Sequence, residues 1–266
     1  MDKIDFFIGP CVLESEALAM QVAESLTKDL EPFMDKIILN FKGSFDKANR
    51  SSIDSYRGPG IEEGLRILEK INKEFNLPTI TDFHLPEQAD IVASVVDTIQ
   101  IPAFLCRQTD IIVAGAEACK KHNSRLKVKK GQFLSPLDTK NIVDKASGII
   151  DKSQILLTER GTSFGYNNLV VDMASFQIMK SFGVKTIHDA THCVQMPGGL
   201  GASTGGKRDQ IFTLAKAAAA AGADGFFMEA HPDPEKALSD ATSQLPIEKI
   251  IELVEIILKI KEVCHD

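Results

Sequence analysis

Short apolar runs rich in β-branched and aromatic residues recur along the chain at intervals of roughly thirty residues, separated by amphipathic stretches of helical length. This alternation restricts the fold more than any other feature, because neighbouring parallel strands need a crossover connection and a helix is the usual one. Strands are expected near residues 6–8, 37–41, 79–81, 98–101, 126–129, 155–158, 186–188 and 225–228. Helices are expected over 15–30, 61–75, 86–96, 109–121, 138–151, 172–182, 207–221 and 246–263. Eight such units predict an α/β fold, the (β/α)8 TIM barrel. Pro86 and Pro246 fall where the first turn of a helix tolerates proline, and Gly183 and Gly222 where a left-handed cap closes one. The alanine run at 217–221 reads as close helix packing.

No low-complexity linker interrupts the 266 residues, and 44% hydrophobic content fills one large core, so a single domain over residues 1–266 is expected. No run of about 18 apolar residues occurs, and Met1-Asp2-Lys3-Ile4-Asp5 lacks a basic start followed by an apolar core. The chain therefore reads as soluble and cytoplasmic. Cys11, Cys106, Cys119, Cys193 and Cys264 are scattered, odd in number and without a Cys-x-x-Cys pair, which suggests neither a disulfide framework nor a zinc ribbon. A formal net charge of -7 argues against nucleic acid or an anionic membrane as partner. Any basic site must be local.

One such site follows the second strand, where Lys42-Gly43-Ser44-Phe45-Asp46-Lys47-Ala48-Asn49-Arg50-Ser51-Ser52 crowds cations and small polar residues into a short connection. In a barrel of this kind the site lies where the strands end. The residues at those ends are Cys11, Lys42, Asp82 with His84, Gln100, Lys130, Glu159 with Arg160, Asp189 with His192, and Glu229 with His231, nearly all polar or ionisable. Solvated loop residues would explain one or two of them, whereas a nearly complete ring favours a site.

The ring sorts into two chemistries. Lys42, Lys47, Lys130 and Arg160, with Arg50 and Arg107, form a cationic set suited to phosphate and carboxylate groups. In the run 125–130 alternate residues point opposite ways, so most of its charges are expected to face solvent or carboxylates, and only Lys130 is singled out. Cys11, His192, Glu229 and Asp240 form the second set, with thiolate, imidazole and carboxylate groups fit for Zn²⁺, Fe²⁺ or Mn²⁺. Spacing alone leaves the plainer reading open, in which the cysteine is a small core residue and the histidine is merely hydrogen-bonded.

Two tempting motifs fail. His188-Asp189-Ala190-Thr191-His192 has zincin spacing, but it carries Asp for Glu and lies between a strand and Pro197-Gly198-Gly199. Gly201-Ala202-Ser203-Thr204-Gly205-Gly206-Lys207 approaches a P-loop until Arg208 takes the place of the magnesium-binding hydroxyl. The glycines of 196–206 suit a lid over the mouth or a plain surface loop.

Five stretches carry a resemblance. They are 42–52, Gln100-Ile101-Pro102-Ala103-Phe104-Leu105-Cys106-Arg107-Gln108-Thr109-Asp110, Lys129-Lys130-Gly131-Gln132-Phe133, 164–172 and Glu229-Ala230-His231-Pro232-Asp233-Pro234. In this order they resemble the 3-deoxy-D-manno-octulosonate 8-phosphate synthases, and the similarity runs from Gly9 to the last helix. The resemblance implies a (β/α)8 barrel that condenses phosphoenolpyruvate with D-arabinose 5-phosphate, releasing phosphate, to make the inner sugar of lipopolysaccharide. Gly9-Pro10-Cys11 resembles the metal-dependent branch, where the other branch carries Asn, and the remaining implied ligands fall on His192, Glu229 and Asp240.

Phosphoenolpyruvate contacts carry over to Lys42, Ser44, Gln100, Ala103, Lys130 and Arg160, and sugar-phosphate contacts to Lys47, Asn49, Arg50 and Ser51. Lys47, His192 and Lys130 are the implied catalytic residues. Arg107 matches a residue that reaches a neighbouring subunit's sugar phosphate, which implies a homotetramer. Leu85 departs from the acidic residue often found after this His, and Gly43 from a more usual Ala or Ser. The enzymatic rival is the 3-deoxy-D-arabino-heptulosonate 7-phosphate synthase family, which uses erythrose 4-phosphate. Lys47-Ala48-Asn49-Arg50-Ser51 speaks against it, since that family resembles Lys-Pro-Arg-Thr there. A barrel that binds sugar phosphates without turnover is the alternative from another class.

Overall fold

The eight expected strands form one closed parallel sheet in a computed structural model that describes residues 3–50, 52–196 and 205–264. In chain order they are β1 Ile4–Gly9, β2 Ile37–Lys42, β3 Thr79–Asp82, β4 Thr98–Ile101, β5 Arg125–Lys129, β6 Ile155–Glu159, β7 Lys185–Asp189 and β8 Gly225–His231. Each pairs with the next, and β1 closes the ring against β8 with Phe7 opposite Phe227 and Gly9 opposite Glu229. Around them stand α1 Glu16–Leu30, α2 Ile61–Phe75, α3 Ala89–Ala93, α4 Thr109–His122, α5 Lys140–Ser147, α6 Ser175–Lys180, α7 Ile211–Ala220 and α8 Glu248–Val263.

The helices earn their places by spacing. Ile250, Leu253, Val254, Ile257 and Leu258 line one stripe of α8 and are buried, each contributing about 1.5–3 kcal/mol by leaving water. Ser15 caps α1 through its hydroxyl, which accepts from the Leu18 amide at 3.2 Å. Asn76 and Asn123 end α2 and α4 at left-handed φ of 52° and 55°, and Gly183 and Gly222 take φ of 81° and 93° as expected.

Several helices are shorter than the periodicity suggests. Pro86 opens a 3-10 turn, Pro86–Gln88, before α3, and Arg208–Gln210 does the same before α7. Residues 172–174 precede α6 rather than join it. Pro246 belongs to a short strand, Leu245–Pro246, laid beside Ala230 and His231, and α8 starts only at Glu248. Part of the expected lid is seen as Gln195–Met196 paired antiparallel with Gly205–Gly206. Its remainder, 197–204, lies outside the described residues. No helix among the described residues is long and apolar enough to cross a membrane.

Strand alternation divides the core in two. One set of side chains, including Phe6, Ile8, Leu39, Phe41, Leu126 and Val128, packs in the large core that also takes in the helices. The other set fills the barrel in layers. Its middle layer is Phe7, Ile80, Leu156, Ile187 and Phe227. At the N-terminal end of the strands Asp5 takes Arg125 Nη1 at 2.7 Å and Lys185 Nζ at 2.9 Å, with Asn40 Oδ1 on Arg125 Nη2 at 2.7 Å. The opposite end is the mouth. Gly9 stands there because a Cβ would lie 2.0 Å from the carbonyl oxygen of Lys42, so only glycine lets the two strands approach.

Candidate active site

A cavity of about 700 Å³ opens at the mouth, lined by the 46–50 loop, Asp82, Lys129, Arg160, His192, Gln195 and the 237–242 segment. Each strand delivers its last inward side chain to the floor or wall of this space. Lys42, at the end of β2, is 1% exposed and donates from Nζ to Glu229 Oε1 at 2.7 Å and to the Cys11 carbonyl at 2.6 Å. Asp82 ends β3, and its carboxylate takes Ser44 Oγ at 2.7 Å on one oxygen and Gln100 Nε2 on the other. Burial opposes that charge, but Lys42, Lys47 and Lys129 together hold the carboxyl well below the usual carboxylate range.

Lys129 and Lys130 leave β5 in different directions. Lys129 lines the cavity, with Nζ 2.8 Å from Asp189 Oδ2 and 3.9 Å from the Phe227 ring centroid. Lys130 is fully buried behind the wall, 3.4 Å from Glu159 Oε2 and donating to Thr162 Oγ1 at 3.0 Å and the Leu134 carbonyl at 3.2 Å. Arg160 is 5% exposed, and its Nη2 donates to Gln195 Oε1 at 2.8 Å. Its Nε and Nη1 have no partner among the described residues. A guanidinium in the cavity wall with hydrogen-bonding capacity left over suits an anion.

The second set converges beside the first, with Lys42 on Glu229 and Gln195 bridging Arg160 to Asp240. Cys11 Sγ, a Glu229 oxygen and an Asp240 oxygen lie within 4.8 Å of one another. His192 Nε2 stands 3.5 Å from Glu229 Oε1 and 3.6 Å from Asp240 Oδ2. Its other nitrogen, Nδ1, is hydrogen-bonded to Asp189 Oδ1 at 3.0 Å, and the neighbouring Lys129 is ion-paired with the same carboxylate at 2.8 Å. Oriented in this way through Nδ1, the ring presents Nε2 to the cluster, the arrangement a metal-binding imidazole takes. Asp240 sits at a left-handed φ of 50°, held by the Ser243 and Gln244 amides donating to its carbonyl at 3.0 and 3.1 Å.

These groups fit a divalent cation. Burial, with Asp240 and Glu229 beside it, pushes the Cys11 thiol far above the ordinary thiol range, so by itself it keeps its proton, which points at Ser239 Oγ (3.1 Å) and Asp240 Oδ2 (3.5 Å). Glu229 Oε2 is buried with no hydrogen-bond partner among the described residues. A nearby positive charge would free the thiolate and complete the carboxylate's coordination.

The sugar-side loop borders the same cavity. Lys47, Asn49 and Arg50 all line it, and Arg50 donates from Nη1 to Ser239 Oγ at 2.5 Å and from Nη2 to the Leu238 carbonyl at 3.3 Å. Burial opposes the Lys47 charge, but Cys11, Glu229, Asp240 and Asp82 hold the ammonium well above the ordinary lysine value. Ala103 also lines the cavity, whereas Lys42, Ser44 and Gln100 lie just beneath it. Ser51 lies outside the described residues, and Arg107 is exposed away from the cavity lining. His188 faces the helices, edge-on to Phe176 and Phe226, so the zincin-like spacing brings no histidine pair together.

One expectation is corrected. Arg125, Lys127 and Lys129 share one face as alternation requires, but that face is the barrel interior, where Lys127 is fully buried, Lys129 lines the cavity and Arg125 is only partly exposed. Arg125 and Lys129 do find carboxylates, Asp5 and Asp189, while Lys127 does not. Lys129, Ser239 and Gln195 are therefore site residues missed in the sequence. The Asp-x-x-His spacing at Asp189 and His192 was a usable signal for the imidazole's orientation.

The chain matches the DAHP synthetase I family over residues 2–265. It is 51% identical over 249 residues to a 2-dehydro-3-deoxyphosphooctonate aldolase of Trichlorobacter lovleyi, covering 93% of this chain and 88% of that one. A protein of the same name from Nitratidesulfovibrio vulgaris is 52% identical over 249 residues, again 93% of this chain and 88% of the relative. Another from Protochlamydia amoebophila is 51% identical over 247 residues, 92% of this chain and 87% of the relative. With a parallel barrel whose strand ends gather cations beside a thiol-carboxylate-imidazole cluster, the chain belongs to the DAHP synthetase I family, among its 2-dehydro-3-deoxyphosphooctonate aldolases.

Proposed function

We infer that this protein condenses phosphoenolpyruvate with D-arabinose 5-phosphate and water, giving 3-deoxy-D-manno-octulosonate 8-phosphate and inorganic phosphate for lipopolysaccharide synthesis. The observation that carries the reading is the buried Arg160 guanidinium, with two nitrogens unpartnered among the described residues, in the wall of a cavity that His192 and Asp240 of the candidate ligand set also line. The cations suit an anionic enol phosphate, and the cluster beside them suits an oxygen that must be polarised.

In the reaction C3 of the enol attacks the sugar aldehyde, water adds to C2, and the resulting hemiketal phosphate expels phosphate by C–O cleavage. Arg160, Lys42 and Lys130 supply the positive charge that holds phosphoenolpyruvate, and Ser44, Gln100 and Ala103 fix its orientation. Lys47, Asn49, Arg50 and Ser51 take the sugar phosphate. Holding both reactants in register is worth on the order of 7–11 kcal/mol of the barrier at most. Lys47, held well above the ordinary lysine value, is assigned as proton donor to the new alkoxide, and His192 to the attacking water instead of, or besides, the metal. Cys11, His192, Glu229 and Asp240 would hold Zn²⁺, Fe²⁺ or Mn²⁺, a Lewis acid that orients and polarises the aldehyde or the water.

The reading carries with it a cytoplasmic homotetramer. Phe104, Phe133, Phe164 and Tyr166 are 56%, 61%, 74% and 98% exposed, and Arg107 is exposed on the Phe104 segment, as an interface reaching a neighbour's cavity would require. Phosphate release with phosphoenolpyruvate and either aldose phosphate tests the function. Arabinose 5-phosphate should be the strongly preferred acceptor. Preference for erythrose 4-phosphate would move the protein to the heptulosonate branch, and binding without release would make it a non-catalytic barrel.

A further inference from the structure

Lys127 is out of place. The β4–β5 and β5–β6 registers set it opposite Gln100 on one side and Leu156 on the other, at the level of the apolar layer Phe7, Ile80, Leu156, Ile187 and Phe227. It is completely buried, its ammonium position 4.6 Å from the Phe227 ring centroid and 5.4 Å from that of Phe7. Packing alone would be served by a leucine or methionine at such a level. Its one hydrogen bond among the described residues runs from Nζ to Gln100 Oε1 at 2.6 Å. The other end of that carboxamide donates to Asp82 Oδ1, and Asp82 Oδ2 accepts from Ser44 Oγ at 2.7 Å.

We propose that Lys127 is a positioning residue for the condensation, acting through Gln100: its amine anchors the carboxamide oxygen and so sets the Gln100–Asp82–Ser44 chain that frames the phosphoenolpyruvate side of the floor. Gln100 and Ser44 hang on the same carboxylate, so a change in the angle of one is passed to the other. Lys127 stands a layer deeper, between the Phe7 and Phe227 rings, and reaches the floor only through Gln100. Burial, and then the charge of Lys129, push its amine well below the ordinary lysine value.

The inference rests on the function proposed above, and the test separates the two. Kinetic constants for phosphate release are measured for the wild type, Lys127→Met, Lys127→Gln, Gln100→Leu and the Lys127→Met/Gln100→Leu double variant, with thermal melting of each. Lys127→Met is expected to melt at or above the wild type, since a buried amine is replaced by a thioether of like length. Its KM for phosphoenolpyruvate should rise about tenfold while KM for arabinose 5-phosphate stays within twofold. Lys127→Gln, which keeps a donor, should recover part of the loss, and the double variant should be no worse than Gln100→Leu alone. Unchanged constants in Lys127→Met, or penalties that multiply in the double variant, would overturn the positioning role. A wild type that releases no phosphate from the two substrates would instead overturn the function beneath it.

Discussion

Arg160→Lys separates binding from folding more cleanly than any other change at the mouth. The substitution keeps one positive charge but removes the planar fork, whose Nε and Nη1 are buried at the cavity without partners among the described residues. In the free protein those two donors stabilise nothing, and an unmade buried hydrogen bond costs about 1–3 kcal/mol. Lysine also gives up the Nη2 hydrogen bond to Gln195, worth about 1 kcal/mol, so the variant should melt within a few degrees of the wild type. When the enol phosphate binds, each nitrogen makes a charge-assisted hydrogen bond worth about 1.5–3 kcal/mol, and lysine replaces at most one. A loss of roughly 3 kcal/mol is about a hundredfold in kcat/KM for phosphoenolpyruvate. Phosphate release under varied phosphoenolpyruvate, paired with a melting curve, reads both quantities. A variant within threefold of wild type in kcat/KM, or one whose loss is matched by a fall in melting temperature, would refute the assignment of that fork to the substrate.

Two further outcomes follow from packing and burial. A Cβ on Gly43 would lie 2.5 Å from Leu13 Cδ2, so Gly43→Ala should destabilise by about 1–3 kcal/mol in urea titration, even though Ala is common there in the resembling family. Equal stability of Gly43→Ala and wild type would show that Leu13 yields freely. Burial lowers His188 from 6.5 to about 4, so below pH 6.5 the unfolded chain takes up a proton that the folded chain refuses. This contribution is complete above pH 6.5 and is lost as pH falls toward 4, amounting to about 2 kcal/mol between pH 7 and pH 5. Replacing His188 with Phe should flatten the wild-type stability profile over that window, and an unaltered slope would contradict the burial.

The barrel was legible because its signal is repeated eight times, and an error of a residue or two at one helix end does not disturb the period. What escaped was set by tertiary context. Asn76 and Asn123 end helices in the role reserved for glycine, since a short amide side chain also tolerates the left-handed backbone. Pro246 was drawn away from the helix by the edge of β8. The cation and ligand sets were readable as residue types at strand ends, but their contacts were not. Lys127 and Lys129 looked like charges on a solvated face because a barrel strand, buried on both sides, breaks the rule that one face of a strand meets water. Asp189 showed its purpose only once His192 was seen turned by it toward Glu229 and Asp240.

That meeting of Cys11, His192, Glu229 and Asp240 is tested most directly by elemental analysis of the purified wild type and Cys11→Ala, with phosphate release followed through chelation and metal restoration. About one divalent transition metal per wild-type chain is expected, absent from Cys11→Ala, with turnover stopped by chelation and restored by the ion. Full metal occupancy in Cys11→Ala, or turnover untouched by thorough chelation, would contradict it.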